Sequence, residues 1–189
     1  MSSLPKTFIT PEEYLARERV AETKSEYFNG EIFAMAGATR EHNLITINIA
    51  AGVLPQLRGK PCESYANDMR VRVPATGLYT YPDVVVVCDE PQFDDEEFDV
   101  LTNPTVIVEV LSKSTASYDR GEKFMHYRTI EHLREYVIVA QKERKIEHHV
   151  KQPDGGWLLT DIRDQDLKLT SIGCTLTMNE IYERVKFDE

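Results

Sequence analysis

Asp83-Val-Val-Val-Val-Cys88 is an almost unbroken run of β-branched residues, and Thr105-Val-Ile-Val-Glu-Val-Leu111 is a second run that carries one glutamate. Runs that are apolar on both faces are typical of central strands covered by helices. Shorter strand patterns and helical patterns lie on either side of the pair. The sequence therefore predicts one mixed α/β domain over residues 1–189, built around these two strands.

Each of the two strands carries a carboxylate near one of its ends. Pro82 cannot donate a ladder hydrogen bond, so pairing should begin near Asp83, whereas Glu109 lies near the end of its own strand. If the strands are antiparallel neighbours, the start of one lies beside the end of the other. Asp83 and Glu109 would then lie at the same end of the sheet.

An ionised carboxylate inside an apolar strand, such as that of Glu109, is costly unless it is paired or bound to a metal. Two plainer interpretations stay open: Asp83 simply ends a strand, and Glu109 forms an ion pair with a core Lys or Arg. On facing strand ends, the two carboxylates together favour a site for a hard divalent cation, Mg²⁺ or Mn²⁺, that keeps several waters.

Helical patterns flank the strand pair. Thr10-Pro11-Glu12-Glu13 is a helix-opening signature and predicts a helix over residues 10–23, and Asn29-Gly30 predicts a hairpin after it. Further helices are predicted for residues 40–57, 117–130 and 179–185. The apolar stripe expected for the helix of residues 40–57 comprises Leu44, Ile47, Ala51 and Leu54, widened by Ile45, Ala50, Val53 and Leu57.

The charge of the chain is uneven. The net charge is −10, yet residues 73–112 contain nine acids and no Lys or Arg, so the rest of the chain is close to neutral. A global acidic charge argues against non-specific binding of nucleic acid. The argument is weaker here because most of the excess lies in one predicted loop, residues 89–102.

The cysteines and the chain start indicate an intracellular protein. Cys62, Cys88 and Cys174 are far apart and odd in number, so we expect three reduced structural thiols and no zinc site. No apolar run is long enough to span a membrane. The start, Met1-Ser-Ser-Leu-Pro, lacks the basic and apolar regions of a secretory signal, so a cytoplasmic location is expected.

Several motifs together resemble a known family. Tyr81-Pro82-Asp83 followed by four valines, then Val108-Glu-Val-Leu-Ser112, is similar to the PD-(D/E)XK nuclease superfamily. The wider pattern resembles the Uma-two family, which is assigned to the restriction endonucleases, over about residues 8 to 185. It comprises Glu109-Val-Leu-Ser-Lys-Ser-Thr115, Tyr118-Asp-Arg-Gly-Glu-Lys-Phe124, Tyr127-Arg128, Glu26-Tyr-Phe-Asn-Gly-Glu-Ile32, Gly37-Ala-Thr-Arg-Glu-His-Asn43, Asn67-Asp-Met-Arg-Val71 and Arg134-Glu-Tyr136.

The resemblance implies a restriction-endonuclease-like fold, a central mixed sheet flanked by helices, with Asp83 and Glu109 as the metal-binding carboxylates. The short motif also requires a lysine two residues after the glutamate, where this chain has Leu111. The resemblance implies that Lys123 on the following helix replaces that lysine. Lys123, Tyr127 and Ile130 follow helical spacing, which places Lys123 beside the stripe that should face the sheet. A solvated helix lysine is the alternative.

Other candidates are less specific. Arg120 is a candidate phosphate ligand or a surface charge, and His42 is a candidate for orienting a ligand or a capping residue. Glu26 and Asp68 are further carboxylates that we expect to be structural. Ser112, Ser114 and Thr115 form a hydroxyl cluster that we expect to cap the next helix or to contact a phosphate.

The leading functional hypothesis is metal-dependent hydrolysis of phosphodiester bonds in DNA, with Asp83, Glu109 and Lys123 as the catalytic residues. A non-catalytic binding or assembly module with the same fold is the first alternative, and a small-molecule hydrolase or transferase is the second. Nucleases that cut two strands often act as pairs, so symmetry suggests a homodimer.

Overall fold

The structure, a computed structural model, describes residues 8–112 and 116–187 and contains three sheets. The largest has the order β11-β10-β9-β8-β6-β3. The second has the order β2-β1-β5-β4-β7, and the third pairs β12 with β13. The strands are β1 (Ser25–Phe28), β2 (Glu31–Ala34), β3 (Cys62–Ala66), β4 (Arg70–Val73), β5 (Leu78–Thr80), β6 (Val84–Cys88), β7 (Val100–Leu101), β8 (Val106–Leu111), β9 (Glu135–Ala140), β10 (Ile146–Lys151), β11 (Trp157–Ile162), β12 (Leu167–Leu169) and β13 (Cys174–Leu176).

The helices cover both faces of the largest sheet, except for the first helix, which packs on the second sheet. They are α1 (Pro11–Glu18), α2 (Arg40–Val53) with a 3₁₀ turn (Leu54–Leu57) after it, α3 (Ala116–Tyr118), a π-helical turn (Asp119–Lys123), α4 (Phe124–Tyr127) and α5 (Met178–Ile181). α1 begins with the expected Thr10–Glu13 capping box but ends at Glu18 instead of residue 23. The helix predicted for residues 117–130 is a continuous helical segment that ends at Tyr127.

The strand pair that decides the fold is confirmed. β6 and β8 are antiparallel neighbours in the centre of the largest sheet, with Val84 opposite Val108. β8 is fully buried and pairs on its other side with β9 in parallel. This mixture of parallel and antiparallel neighbours is what the predicted mixed sheet requires.

The two faces of the central strands pack against different layers. The even-numbered positions of β8 join α2, β13 and α5 in one apolar core. The odd-numbered positions, Ile107 and Leu111, join β4, β5 and the α3–α4 segment in a second core. A second sheet therefore covers part of this face, where the sequence pattern predicted helices alone.

The central stripe predicted for α2, Leu44, Ile47, Ala51 and Leu54, is wrong, but Ile45, Val53 and Leu57, which were predicted to widen it, are buried. The side chains buried against the sheet are Ile45, Ile49 and Val53, whereas Ile47 is 59% exposed and Leu54 is 57% exposed. α2 is apolar on two faces, and spacing alone does not tell which of them meets the sheet. The face that meets the sheet shares one core with the valines of β6 and β8.

The prediction of three reduced thiols is also wrong. The structure joins Cys62 to Cys88 in a disulfide and leaves Cys174 as a buried free thiol. The cause is strand register, because Cys62 lies directly opposite Cys88 where β3 pairs with β6. A separation of 26 residues carries no recognisable spacing signature, so the pairing follows only from the fold.

No helix within residues 8–112 and 116–187 combines the length and the apolar character needed to cross a lipid bilayer.

Candidate functional site

Asp83 and Glu109 meet across the β6–β8 pair. Val84 is opposite Val108, so one further step along the same register sets Asp83 opposite Glu109 on the same face of the sheet. The Asp83 side chain is fixed there because its Oδ2 accepts a hydrogen bond of 2.7 Å from the Val110 amide. The structure thus brings the two predicted carboxylates to one end of the sheet.

Glu109 is a buried carboxylate, 4% exposed. Its Oε1 accepts a hydrogen bond of 2.8 Å from the Tyr127 hydroxyl and lies 3.1 Å from Lys123 Nζ. Burial raises the pKa of Glu109 above its ordinary value, and although the Lys123 charge opposes the rise, the negative charges of Asp119 and Asp83 add to it. A bound cation would relieve this repulsion.

Lys123 points into the site, as predicted from its helical spacing. Its side chain is 6% exposed, and its Nζ lies 3.0 Å from Glu26 Oε1 and 3.5 Å from Asp119 Oδ1, in addition to Glu109. Burial alone would lower the pKa of Lys123, but the three carboxylates outweigh it and hold the pKa above the ordinary value. The ion pairs of Lys123 within the described residues are with these three groups and not with Asp83.

The π-helical turn sets the position of Lys123. The turn, Asp119–Lys123, interrupts an otherwise α-helical segment, and such turns are rare and concentrated at functional sites. The Tyr136 hydroxyl on β9 donates a hydrogen bond of 2.9 Å to the Asp119 carbonyl, which fixes the turn against the sheet. Both ends of the turn, Asp119 and Lys123, are buried.

The sequence did not predict that two further carboxylates contact Lys123 at the site. We expected Glu26 to be structural, but it approaches Lys123 from β1 and accepts a hydrogen bond from the Thr80 hydroxyl. Asp119 was not predicted, although its place four residues before Lys123 was a usable signal. Asp68 agrees with the structural expectation, since it is an exposed partner of Lys24 outside the site.

The remaining candidates lie at different distances from the site. Arg120 binds Glu147 on β10, with Nε 2.8 Å from Oε1, so its side chain is directed away from Asp83 and Glu109. Ser112 is half-buried directly after β8, at the site end of that strand. Ser114 and Thr115 lie outside the described residues.

His42 borders the site from the first turn of α2. Its Nε2 lies 3.2 Å from Asp83 Oδ2, and both side chains are slightly accessible, at 13% and 14%. His42 therefore contacts the carboxylate from the side that solvent can reach. This position agrees with the predicted orienting role and leaves the role itself to be measured.

We expect His42→Ala to weaken Mn²⁺ affinity by about 10- to 100-fold, the usual effect of losing a group that orients a metal-binding side chain. Titration of the metal-free protein with Mn²⁺, followed by calorimetry, measures the change. The exposed His132 supplies the control, because His132→Ala removes a histidine away from Asp83. Equal affinity in all three proteins would show that His42 has no part in metal binding.

Comparison with known proteins adds independent findings. The Uma2 family model, described as "Putative restriction endonuclease", matches residues 11–179. The Synechocystis sp. protein sll1609 is 39% identical over 161 residues, covering 85% of this chain and 91% of the relative. A second protein of the same organism, slr1290, is 37% identical over 186 residues, covering 98% of this chain and 97% of the relative.

A solved structure shares the fold. The crystal structure of a "putative nuclease belonging to DUF820" from Anabaena variabilis matches with a TM-score of 0.75 at 16% sequence identity, covering 94% of this chain and 99% of that one. At this identity the likeness concerns the fold alone. It confirms the predicted restriction-endonuclease-like architecture, in which mixed sheets are flanked by helices.

Proposed function

Because the chain belongs to the Uma2 family, we propose that it is a metal-dependent nuclease that hydrolyses phosphodiester bonds in DNA. The observation that carries the proposal is one constellation: two carboxylates opposed across neighbouring strands, with a buried ammonium 3.1 Å from one of them. A purely structural ion pair does not require the second carboxylate, Asp83, at the accessible edge of the same site.

The carboxylates fit a hard divalent cation. Among the described residues, the hydrogen bonds to Asp83 and Glu109 go to Oδ2 and Oε1, so Oδ1 and Oε2 are the oxygens that would hold the ion. The described residues include no cluster of three or more His, Cys, Asp or Glu side chains with the geometry of a metal cage. Two protein carboxylates with waters and substrate oxygens are the coordination that Mg²⁺ commonly adopts.

Each residue of the site would have a distinct role in hydrolysis. A bound divalent ion would polarise the phosphate and lower the pKa of an attacking water. Asp83 and Glu109 would hold that ion, and His42 would keep Asp83 in place. The pKa of Lys123 is raised, so its ammonium stays charged at neutral pH and acts by stabilising negative charge that develops on the phosphate rather than as a base.

Glu26 and Asp119 position Lys123. The two carboxylates contact the ammonium from β1 and from the π-helical turn. A flexible lysine side chain would lose much of its electrostatic effect without such fixed partners. In the usual motif the lysine lies on the strand itself, at the position of Leu111, and the strand holds it in place. Here the contacts with Glu26 and Asp119 would hold Lys123 instead.

The acidity of the chain does not oppose a DNA substrate. Part of the acidic loop is neutralised internally, because Arg19 binds Asp95 at 2.6 Å and Asp99 at 2.8 Å, and Arg72 binds Asp94. We also propose that the protein is cytoplasmic and that it acts as a homodimer, with one subunit for each strand of the DNA.

Plasmid cleavage tests the proposal. Purified protein should convert supercoiled plasmid to nicked and linear forms in Mg²⁺ or Mn²⁺, and EDTA should stop the reaction. Asp83→Asn is the matched inactive control, because it removes one charge at nearly constant volume. Folded protein that binds DNA but leaves it intact with either metal would overturn the nuclease proposal and favour the non-catalytic module.

Metal binding is expected to raise the melting temperature. An ion that binds only the native state stabilises it by about 2.7 kcal/mol at 100 times its Kd. Asp83→Asn should abolish the rise in Mg²⁺ or Mn²⁺, which differential scanning fluorimetry measures with EDTA-treated samples as references. A rise of unchanged size in the variant would place the ion elsewhere.

A further inference from the structure

The outer surface of α2 differs from the rest of the chain in charge. Charged residues make up 29% of the sequence, yet residues 43–57 include none. A helix on the surface of a globular protein normally carries charged side chains on the face that points to solvent. The solvent face of α2 and of the 3₁₀ turn that continues it instead exposes Ile47 and Leu54, at 59% and 57%.

The apolar residues on this outer surface follow a second pattern. Leu44, Ile47, Ala51 and Leu54 are separated by three, four and three residues, the alternation of a heptad seam. A seam of this kind is the signature of a helix that pairs with another helix. The sheet-facing residues, Ile45, Ile49 and Val53, form a separate stripe, so the seam is not needed for the core.

A groove lies beside the first half of the seam. It has a volume of about 400 Å³ and is lined by Leu44 and Ile47, by the polar residues Arg40, Asn43 and Thr46 of the same helix, and by Ala66 and Asn67 at the end of β3. Leu54, an exposed apolar side chain, lies at the opposite end of the same seam. One surface therefore carries both an apolar projection and a recess.

We propose that the seam of α2, formed by Leu44, Ile47, Ala51 and Leu54, pairs antiparallel with the seam of a second copy around a two-fold axis. In that arrangement Leu54 of each copy enters the groove beside Leu44 of the other, and Ile47 packs against Ala51. A two-fold interface presents one patch to itself, so it must contain its own projection and recess.

The chemistry of the seam favours a second copy as its occupant. The four seam side chains carry no charge, and Arg40, which lines the groove, is paired with Glu41 at 3.2 Å, so no net charge on this surface repels an identical copy. Four apolar side chains on one helix cover less than the standard interface of about 800 Å² per partner. The dimer is therefore reversible and depends on concentration.

The arrangement has a consequence for cleavage, which rests on the proposed nuclease function. His42, at the first turn of α2, contacts Asp83, so each active site lies at the N-terminal end of its own helix. Antiparallel pairing places the two sites at opposite ends of the paired helices, roughly 20 Å apart for 14 residues at about 1.5 Å each. Two sites held in this way can act on both strands of one duplex.

Sedimentation equilibrium of the metal-free, DNA-free protein tests the interface. Wild type should associate as its concentration rises, and Ile47→Glu combined with Leu54→Glu should raise the dissociation constant about 100-fold or more, because the dimer would bring four carboxylates of like charge into one apolar interface. Leu158→Glu is the control, since Leu158 is equally exposed, at 56%, on β11. A wild type that stays monomeric at every concentration, or a double variant that associates like wild type, would overturn the proposal.

Charge exchange tests the antiparallel register. Leu44→Lys and Leu54→Glu should each weaken self-association, and a mixture of the two should form a heterodimer. The reason is that the ammonium introduced at position 44 of one copy then faces the carboxylate introduced at position 54 of the other. Both variants are checked for a native melting transition first. If the mixture stays monomeric, the antiparallel pairing is wrong. None of these measurements uses cleavage, so failure of the nuclease proposal remains a separate outcome.

Discussion

Replacing Lys123 by alanine is expected to lower the rate of DNA cleavage by about 100-fold or more, the usual cost of losing one preorganised electrostatic group. The ammonium is buried within 3.0–3.5 Å of Glu26, Glu109 and Asp119, and no other cation pairs with Glu109 among the described residues. Single-turnover kinetics on a labelled duplex measure the chemical step directly, at a temperature at which the variant is folded.

Metal affinity separates a catalytic role of Lys123 from a structural one. Removing a positive charge near the two carboxylates proposed to bind the metal should leave Mn²⁺ affinity unchanged or increase it, while turnover falls. General damage to the site would lower both.

Lys123→Arg should rescue poorly, because a wider guanidinium does not fit the buried space between the carboxylates. The exposed Lys142 is the control, and Lys142→Ala should cleave at the wild-type rate. Near-normal cleavage by Lys123→Ala would contradict the mechanism.

Glu109→Gln is expected to abolish cleavage and the metal-dependent rise in melting temperature without destabilising the metal-free protein. Lys123 keeps Glu26 and Asp119 as partners, so its charge stays compensated when Glu109 becomes neutral. Removing one of several buried carboxylates also relieves their mutual repulsion. Urea denaturation in EDTA should give a free energy of unfolding equal to or above that of wild type.

The stability difference between Glu109→Gln and wild type should depend on pH. The folded-state pKa of Glu109 lies above its ordinary value of 4.5, so between the two values the native state binds more protons than the unfolded state. Wild-type stability therefore falls as the pH rises through that interval, whereas the glutamine variant lacks this contribution. The free energy of unfolding of the variant should therefore rise relative to that of wild type as the pH increases above 4.5.

One result would reject the metal-site interpretation. A loss above about 3 kcal/mol in metal-free Glu109→Gln would indicate that Glu109 and Lys123 form a structural ion pair whose breaking leaves an uncompensated charge. Glu63 lies on the edge strand β3, away from the site. Glu63→Gln therefore measures the effect on stability of the same substitution outside the site.

The sequence predicts the part of the site that lies on two strands. Pro82 marks where β6 begins, and a glutamate in an apolar strand demands a partner, so Asp83 and Glu109 follow from local pattern and strand pairing. Glu26 does not, because its place beside Lys123 depends on how the second sheet packs on the first. No local spacing contains that information.

Two other features depend on choices that the sequence leaves open. α2 is apolar on two faces, and the fold decides which of them is buried, as the exposure of Ile47 shows. The Cys62–Cys88 disulfide likewise depends on the register of β3 against β6. In each case the missing information is tertiary, since it concerns which surfaces meet rather than which elements form.

The π-helical turn has a consequence for comparing this chain with its relatives. Each residue rotates an α-helix by about 100°, so one residue more or less between Asp119 and Lys123 would turn a different side chain toward the carboxylates. The neighbour on one side is Glu122, whose charge is opposite. The length of the π-helical turn therefore determines that Lys123 is the residue that faces the carboxylates. An alignment that opens a gap within Asp119–Lys123 would assign a different residue to that position.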